Sequence, residues 1–223
     1  MPGQGLLLVM TDIPADVEKE FNRWYNEEHM RDMLAFPGIL SARRYRIVEG
    51  QPTYLAMYDL KDPGVVEQPE YQYVSGWSPL ANPLSISMSK RYFNTIRGVY
   101  QHVLTLPTPE LTDVSGARGL MLRGLDIDKE HEEEFEDWYN TEHLPNLSRV
   151  PGVLRSRRYR LNAEASHLKG DPPVYMAAYE IKRYQVLESE EWQRAADTPW
   201  TRRVRCFFRT PSLRNVYDRI FPA

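Results

Sequence analysis

Two histidines stand in matching sequence contexts and could move protons. His29 ends the run FNRWYNEEH, and His143 ends the run FEDWYNTEH. An unperturbed imidazole titrates near neutral pH, so a histidine in a cavity can accept or donate a proton during catalysis. We therefore predict that His143 and His29 are acid/base residues. A shared packing role would explain the presence of both histidines equally well.

Tyrosine and asparagine side chains accompany each histidine at helical spacing. Tyr25 and Tyr139 lie four residues before the two histidines, so that each tyrosine shares a helix face with its histidine. We expect the tyrosine hydroxyls to point into the same cavities and to contact the substrate. Asn26 and Asn140 could bind a substrate oxygen, or they could bind backbone near the end of the helix.

Arginines follow in both copies, in the segments RRYR that contain Arg44 and Arg158. Alternation along a strand places these two arginines on one face and their neighbours Arg43 and Arg157 on the other. A buried arginine must pair with a carboxylate or bind an anion. Arg44 and Arg158 are therefore candidates for binding a substrate carboxylate or phenolate. Ion pairs with helix carboxylates are the alternative.

A long internal repeat explains these matches. Residues 5–47 align with residues 119–161 without a gap, at an offset of 114 residues, and about 20 of 43 positions are identical. A repeat of this length sets the architecture of a chain. We predict two α+β repeats, over residues 1–106 and 118–223, joined by a linker over residues 107–117.

Each repeat predicts the element order strand, helix, strand, strand, helix, strand. In the first repeat we expect the second helix over residues 65–76. In the second repeat we expect the fourth strand over residues 202–209, followed by a helical or irregular tail. The second hairpin loop, residues 162–173, is about seven residues longer than its counterpart. We expect this loop to border the cavity of the second repeat.

The pattern WYN-x-EHLP, PG and RRYR in this element order resembles the EthD-like branch of the dimeric α+β barrel superfamily. The resemblance spans both repeats and implies that two ferredoxin-like βαββαβ units form one barrel within a single chain. It also implies a helix-borne histidine that transfers protons, which matches His143 and His29. The first copy departs from the pattern at Arg31, where the second copy has Pro145. Members of this superfamily catalyse several reactions, so the resemblance leaves the reaction type open.

Composition and charge narrow the range of partners. The formal net charge is −3 and the hydrophobic content is 42%, so no bulk positive charge attracts nucleic acid or an anionic membrane. The first apolar run, residues 6–10, is too short to span a bilayer. Cys206 is the only cysteine, which favours a reducing, cytoplasmic location. The sequence leaves open whether the fused chain forms a homodimer.

Metal and cofactor motifs are absent from the sequence, which has no HExxH, no cysteine pair and no glycine-rich phosphate loop. We therefore expect no metal and no cofactor, although a lone histidine leaves haem open through axial ligation. The sequence favours a cofactor-independent enzyme with lyase, dehydratase or isomerase chemistry on an aromatic or polyketide-like small molecule. The alternatives are a cofactor-free or haem-dependent monooxygenase of the same fold, and a non-catalytic small-ligand-binding protein.

Overall fold

Eight antiparallel strands form one closed barrel in the computed structural model, which describes residues 3–107 and 114–222. We call residues 3–107 the first half and residues 114–222 the second half. Within the predicted linker, residues 108–113 lie outside the described residues.

The first half begins with a buried strand and continues into a helix that lies over the sheet. Its elements are β1 (Gly5–Asp12), α1 (Glu18–Trp24), α2 (Met30–Ala35), β2 (Ile39–Glu49), β3 (Tyr54–Leu60), α3 (Pro83–Ser89) and β4 (Phe93–Leu106). The helix expected over residues 65–76 is absent. Two 3₁₀ turns, Pro63–Glu67 and Pro69–Tyr73, stand there instead, because Gln68 precedes a proline and adopts an extended conformation.

The second half has the same order with one additional helix before its last strand, and its expected last strand and tail both differ from the prediction. It contains β5 (Gly119–Leu125), α4 (Glu132–Trp138), α5 (Leu144–Ser148), β6 (Val153–Leu161), β7 (Tyr175–Ile181), α6 (Glu190–Ala196), α7 (Pro199–Val204) and β8 (Leu213–Phe221). The strand expected over residues 202–209 is wrong, because Thr198 caps α7 through its side chain and Pro199 occupies the first helical position. The expected tail instead forms β8.

The strand order shows how the two halves close the barrel. It reads β1-β3-β2-β8-β5-β7-β6-β4, so four adjacent strands come from each half. The halves join along two seams, where β2 pairs with β8 and β4 pairs with β6. Each sheet therefore leaves no free edge, because both of its outer strands pair with the other half.

Side chains that point into the barrel fill it, while the opposite faces of the sheets pack against the helices. The inward-facing cluster combines apolar side chains of both halves, including Leu6, Leu8, Met57, Leu120, Leu122 and Met176. Two further clusters lie between each half's own strands and helices. The barrel interior is thus a packed core, and the spaces available to a ligand lie between sheet and helix.

A network of buried charges joins the two halves inside the barrel. The Nη1 atom of Arg157 lies 2.5 Å from Oδ1 of Asp59, and Nε of Arg43 lies 3.7 Å from Oε1 of Glu180. Arg43 also pairs with Asp59, and Arg155 with Glu180. Burial alone would raise the pKa of Glu180, but the charges of Arg157 and Arg43 lower it to about 2. Both carboxylates therefore stay ionised at neutral pH.

Candidate functional site

Each histidine ends a short π-helical turn that interrupts the helix over the sheet. The turn Tyr25–His29 lies between α1 and α2, and the turn Tyr139–His143 lies between α4 and α5. A π turn is rare, and it is found most often at functional sites. The identical insertion in both halves follows from the shared WYN-x-EH sequence.

The π turn places each imidazole in the same aromatic environment. His29 stacks on Trp24, with ring centroids 4.9 Å apart, and His143 stacks on Trp138 at 4.3 Å. The tyrosine that begins each turn meets the imidazole edge-on, at centroid distances of 4.8 Å and 5.1 Å. The two sites therefore share one geometry, and any difference between them must come from the surrounding residues.

Both imidazoles are neutral at physiological pH. Burial, followed by the charge of Arg44, lowers the pKa of His29 to about 3. Burial, followed by Arg205, Arg123 and Arg158, lowers the pKa of His143 to about 3. The Nδ1 atom of each ring is buried without a hydrogen-bond partner in the described residues, whereas neither Nε2 atom is both buried and unpartnered.

Each predicted tyrosine places its hydroxyl beside the hydroxyl of a strand tyrosine in the same half. The hydroxyls of Tyr25 and Tyr58 lie 3.0 Å apart, and those of Tyr139 and Tyr179 lie 3.1 Å apart. Burial raises the pKa of Tyr25 and Tyr139 above the ordinary value. These hydroxyls therefore remain protonated and can donate a hydrogen bond.

The predicted asparagines and arginines bind each other beneath the π turns. Arg44 donates from Nη1 to Oδ1 of Asn26 at 2.5 Å, and Arg158 donates likewise to Asn140 at 2.5 Å. Arg158 also pairs with Glu136 at 2.8 Å, as the ion-pair alternative expected. These contacts hold each π turn to the strand below it. None of the four predicted residues lines either of the cavities described next.

The two halves differ in the space beside the histidine. In the second half a cavity of about 270 Å³ lies against His143, and we call it the second cavity. Its wall includes Arg123, Trp138, Tyr139, Tyr179, Trp192, Gln193, Arg205, Phe208 and Arg214. The corresponding first cavity, beside His29, measures about 20 Å³. That volume holds about one water molecule.

The long hairpin loop of the second half closes the first cavity. Its backbone pairs with the first half, where N–H of Arg97 donates to O of Lys169 and N–H of Lys169 donates to O of Arg97. The Nη1 atom of Arg97, a residue that lines the first cavity, donates to the carbonyls of Ser166 and His167 at 3.0 Å and 2.9 Å. The expectation that this loop borders the second cavity was wrong, because β6 pairs with β4 and so directs the hairpin towards the first half.

Apolar and cationic contacts complete the closure. Ala165 is buried in the helix–sheet core of the first half, and Leu168 packs against the same core. The Nζ atom of Lys169 lies 3.9 Å from the centre of the Trp77 ring, and Trp77 is part of the wall of the first cavity. The first site is therefore covered by residues that have no counterpart in the shorter first hairpin.

Sequence reasoning missed the arginines of the second cavity. Arg123 occupies the position in β5 that Val9 occupies in β1, and Arg205 follows α7 as Lys90 follows α3. The alignment of the two repeats contains an indication of Arg123. It stands in a mostly apolar strand at the position where the first repeat has Val9. The two cavities therefore differ in lining residues that the two repeats do not share.

Among residues 3–107 and 114–222, no three His, Cys, Asp or Glu side chains are grouped to hold a metal ion. No helix in this part of the chain is both long enough and apolar enough to cross a membrane.

Of the comparisons with known proteins, those with solved structures concern the fold. The family described as a domain of unknown function, DUF4286, matches residues 4–79. A search of curated proteins finds no match. An anthrone oxidase-like protein has a similar structure, with a TM-score of 0.64, 12% identity, and coverage of 97% of this chain and 90% of that chain.

Two further solved structures show the same similarity. A protein from Lactobacillus acidophilus, proposed to be a monooxygenase, has a TM-score of 0.61 at 12% identity and covers 97% of this chain and 94% of its own. A chlorite dismutase variant from Candidatus Nitrospira defluvii has a TM-score of 0.60 at 12% identity, with coverage of 97% and 92%. At such low identity these similarities concern the fold alone. The chain shares with these proteins an α+β fold, built here as a closed eight-stranded antiparallel barrel with both halves in one polypeptide.

Proposed function

We propose that the second half carries the active site of a cofactor-independent enzyme that transfers protons on a small aromatic or polyketide-like molecule. The observation that carries this proposal is the unequal space beside two equivalent histidines. His143 faces about 270 Å³, whereas His29, in the same aromatic environment, faces about 20 Å³. A packing role alone would need no cavity at either position.

The cavity limits the size and character of the substrate. Its volume lies near the lower end of the range for small-molecule sites, so it accommodates a molecule of one or two rings. Aromatic side chains form much of its wall, including Trp138, Trp192 and Phe208. Flat apolar rings pack well against such walls. The enzyme would therefore act on a compact aromatic substrate.

His143 would act as the base and then as the acid of the reaction. A substrate C–H or O–H proton passes to Nε2 of His143, which leaves an imidazolium ion and a substrate anion. Tyr139 donates a hydrogen bond to the oxygen on which negative charge develops. The imidazolium then returns the proton, either to another substrate atom in an isomerisation or to a departing hydroxide, which leaves as water in a dehydration.

The decisive experiment compares His143→Gln with His29→Gln, which makes the same change in the closed site. Each variant is assayed for turnover of a panel of aromatic hydroxy, keto and lactone compounds and for melting temperature. We expect His143→Gln to reduce turnover by roughly 100-fold or more while the protein stays folded. His29→Gln should retain turnover. Binding without turnover in the wild type would instead favour a non-catalytic ligand-binding protein.

A cofactor-free monooxygenase is the second candidate, because two of the similar structures are described as an anthrone oxidase-like protein and a proposed monooxygenase. In that reaction His143 would again remove a proton, and the resulting substrate anion would react with dioxygen. Turnover that stops under anaerobic conditions would identify this reaction. A Soret band in the purified protein would instead favour a haem-dependent reaction.

We further propose that the two halves are ferredoxin-like repeats of the EthD-like type, with boundaries at residues 1–106, 107–117 and 118–223. The internal sequence repeat and the matching strand orders support this proposal. A cytoplasmic location would agree with the single cysteine. Light scattering of the purified chain would show whether it forms a homodimer.

A further inference from the structure

We propose that the second cavity binds its substrate as an anion, through a carboxylate or phenolate oxygen held by Arg123 with help from Arg205. This inference rests on the proposed function for its catalytic meaning, but the binding itself can be tested separately. The proposal replaces Arg44 and Arg158 as the anion-binding residues, because these arginines donate hydrogen bonds to Asn26 and Asn140 beneath the π turns.

The wall of the second cavity carries an excess of positive charge. Three arginines line it, namely Arg123, Arg205 and Arg214, and none of its described lining residues is a carboxylate. Arg214 pairs with Glu49 at 2.5 Å, and Arg205 pairs with Asp197 at 2.8 Å. Both of these carboxylates lie outside the lining. Arg123 has no carboxylate partner among the described residues.

Arg123 has spare hydrogen-bond donors next to the cavity. Its one hydrogen bond among the described residues runs from Nη1 to the carbonyl of Leu213 at 3.2 Å. A guanidinium group carries five N–H donors, so most of them have no protein acceptor. Arg123 also lies directly opposite Arg214 in the pairing of β5 with β8. Burial, opposed by the nearby tyrosines and assisted by Arg214, lowers the pKa of Arg123.

This arrangement would be costly without a ligand. Arg123 is a partly buried cation opposite another cation, and its protein contacts are a carbonyl hydrogen bond and the Phe208 ring, 5.8 Å from the guanidinium carbon, with no carboxylate among the described residues. A carboxylate or phenolate in the cavity would accept the free donors of Arg123 and offset the repulsion from Arg214. Arginine suits this role because its planar group can bind a carboxylate through two parallel hydrogen bonds.

The first half supplies an internal comparison. There Val9 stands opposite Arg97, in the same pairing geometry, and the carbonyls of the long hairpin loop accept from Arg97. The open site therefore has an additional arginine, and the closed site has none at that position. Substitution of Arg123 by valine would reproduce the first-half residue in the second half.

An anion at Arg123 would also influence His143. Arg205 and Arg123 both lower the pKa of His143 in the free protein. A bound anion would counter that effect and raise the pKa, which makes Nε2 a stronger base once substrate is in place. The cavity would then couple recognition of the anionic group to the activation of the base.

Calorimetry with two isosteric probes tests the proposal on the intact chain. The first probe is 2-naphthoate, and the second is the neutral 2-naphthamide. We expect wild-type protein to bind the anion at least about tenfold more tightly than the amide. Arg123→Val should remove this preference, and Arg194→Gln, which removes an exposed charge away from the cavity, should keep it. 4-Nitrophenol, measured above and below its own pKa, tests a phenolate in the same way.

The controls separate binding from folding and from catalysis. If Arg123→Val lowers the melting temperature strongly, two other measurements replace this variant: binding to Arg205→Gln, and the salt dependence of binding to the wild type. Added salt should weaken the binding of the anionic probe and leave the binding of the neutral probe unchanged. Anion preference in either probe series that depends on Arg123 supports the proposal. Equal binding of charged and neutral probes, no binding of either anion at millimolar concentration, or unchanged preference in Arg123→Val overturns it. Turnover is measured in a separate assay. Anion binding that depends on Arg123 without any turnover would therefore contradict the proposed catalysis and still support the proposed binding.

Discussion

At the scale of single residues, the buried histidines link the stability of the protein to pH. The pKa of His29 is about 3 in the folded chain and 6.5 in its ordinary environment. As the pH falls below 6.5, the unfolded chain takes up protons that the folded chain does not bind. The free energy of unfolding should therefore fall by up to about 1.4 kcal/mol per pH unit for this histidine.

Urea unfolding between pH 7 and 5 tests this linkage. We expect wild-type stability to decrease across this window and the His29→Gln variant to lose less stability over the same range. The buried carboxylates Asp59 and Glu180 do not interfere, because their pKa values are lowered and their ordinary values lie near 4. His167→Asn, in an exposed loop, serves as the control. Equal slopes for wild type and His29→Gln would contradict a neutral buried imidazole.

The residues shared by the two copies could be found from the sequence, but their roles could not. The runs ending in His29 and His143 were recognisable from their identical types and spacing. Their burial and the mutual binding of Arg158 and Asn140 depend on a π turn, which helical periodicity does not reveal. Arg123 could be found only by looking for positions at which the two copies differ, because the first copy has Val9 there.

At the scale of elements, the strands of the hairpins were predictable and the proline-rich segments were not. Alternating residues indicated β2, which has one face on the helices and one in the barrel, and the turn that follows it indicated β3. The fourth strand of the second half was predicted over residues 202–209 but lies over Leu213–Phe221. Pro211 lies just before β8 and lacks an N–H donor, so pairing begins only at Leu213.

Shortening the long hairpin loop tests its role in closing the first cavity. We replace residues 162–173 with the five-residue segment VEGQP, residues 48–52 of the first hairpin. Arg97 then loses two carbonyl acceptors, and the core of the first half loses Ala165 and Leu168. We expect stability to fall by about 3 kcal/mol or more, and we expect acrylamide to quench Trp77 fluorescence more strongly.

The matched control for this loop is Ser166→Ala, which removes a side chain but keeps the carbonyl that accepts from Arg97. It should behave like wild type in both measurements. A Trp77→Phe background identifies the contribution of that tryptophan to the quenching. If the shortened chain keeps its stability and its quenching, the loop does not close the first cavity.

At the scale of the whole molecule, the barrel depends on charges that neither half can satisfy alone. Arg157 of the second half pairs with Asp59 of the first half, and Arg43 of the first half lies near Glu180 of the second half. These side chains are at least about 85% buried. The fused halves are therefore held together by interior ion pairs in addition to the two strand seams.

Asp59→Ala measures the contribution of this network. The change leaves the buried guanidinium groups of Arg43 and Arg157 short of a counter-charge, so we expect a loss of about 3–5 kcal/mol in unfolding free energy. Glu49→Gln provides the control, since Glu49 and Arg214 form an exposed ion pair between the same two halves. Removal of an exposed pair should cost less than about 1 kcal/mol. Equal losses in the two variants would show that the buried ion pairs stabilise the protein no more than the exposed pair does. The association of the two halves would then depend on the two strand seams.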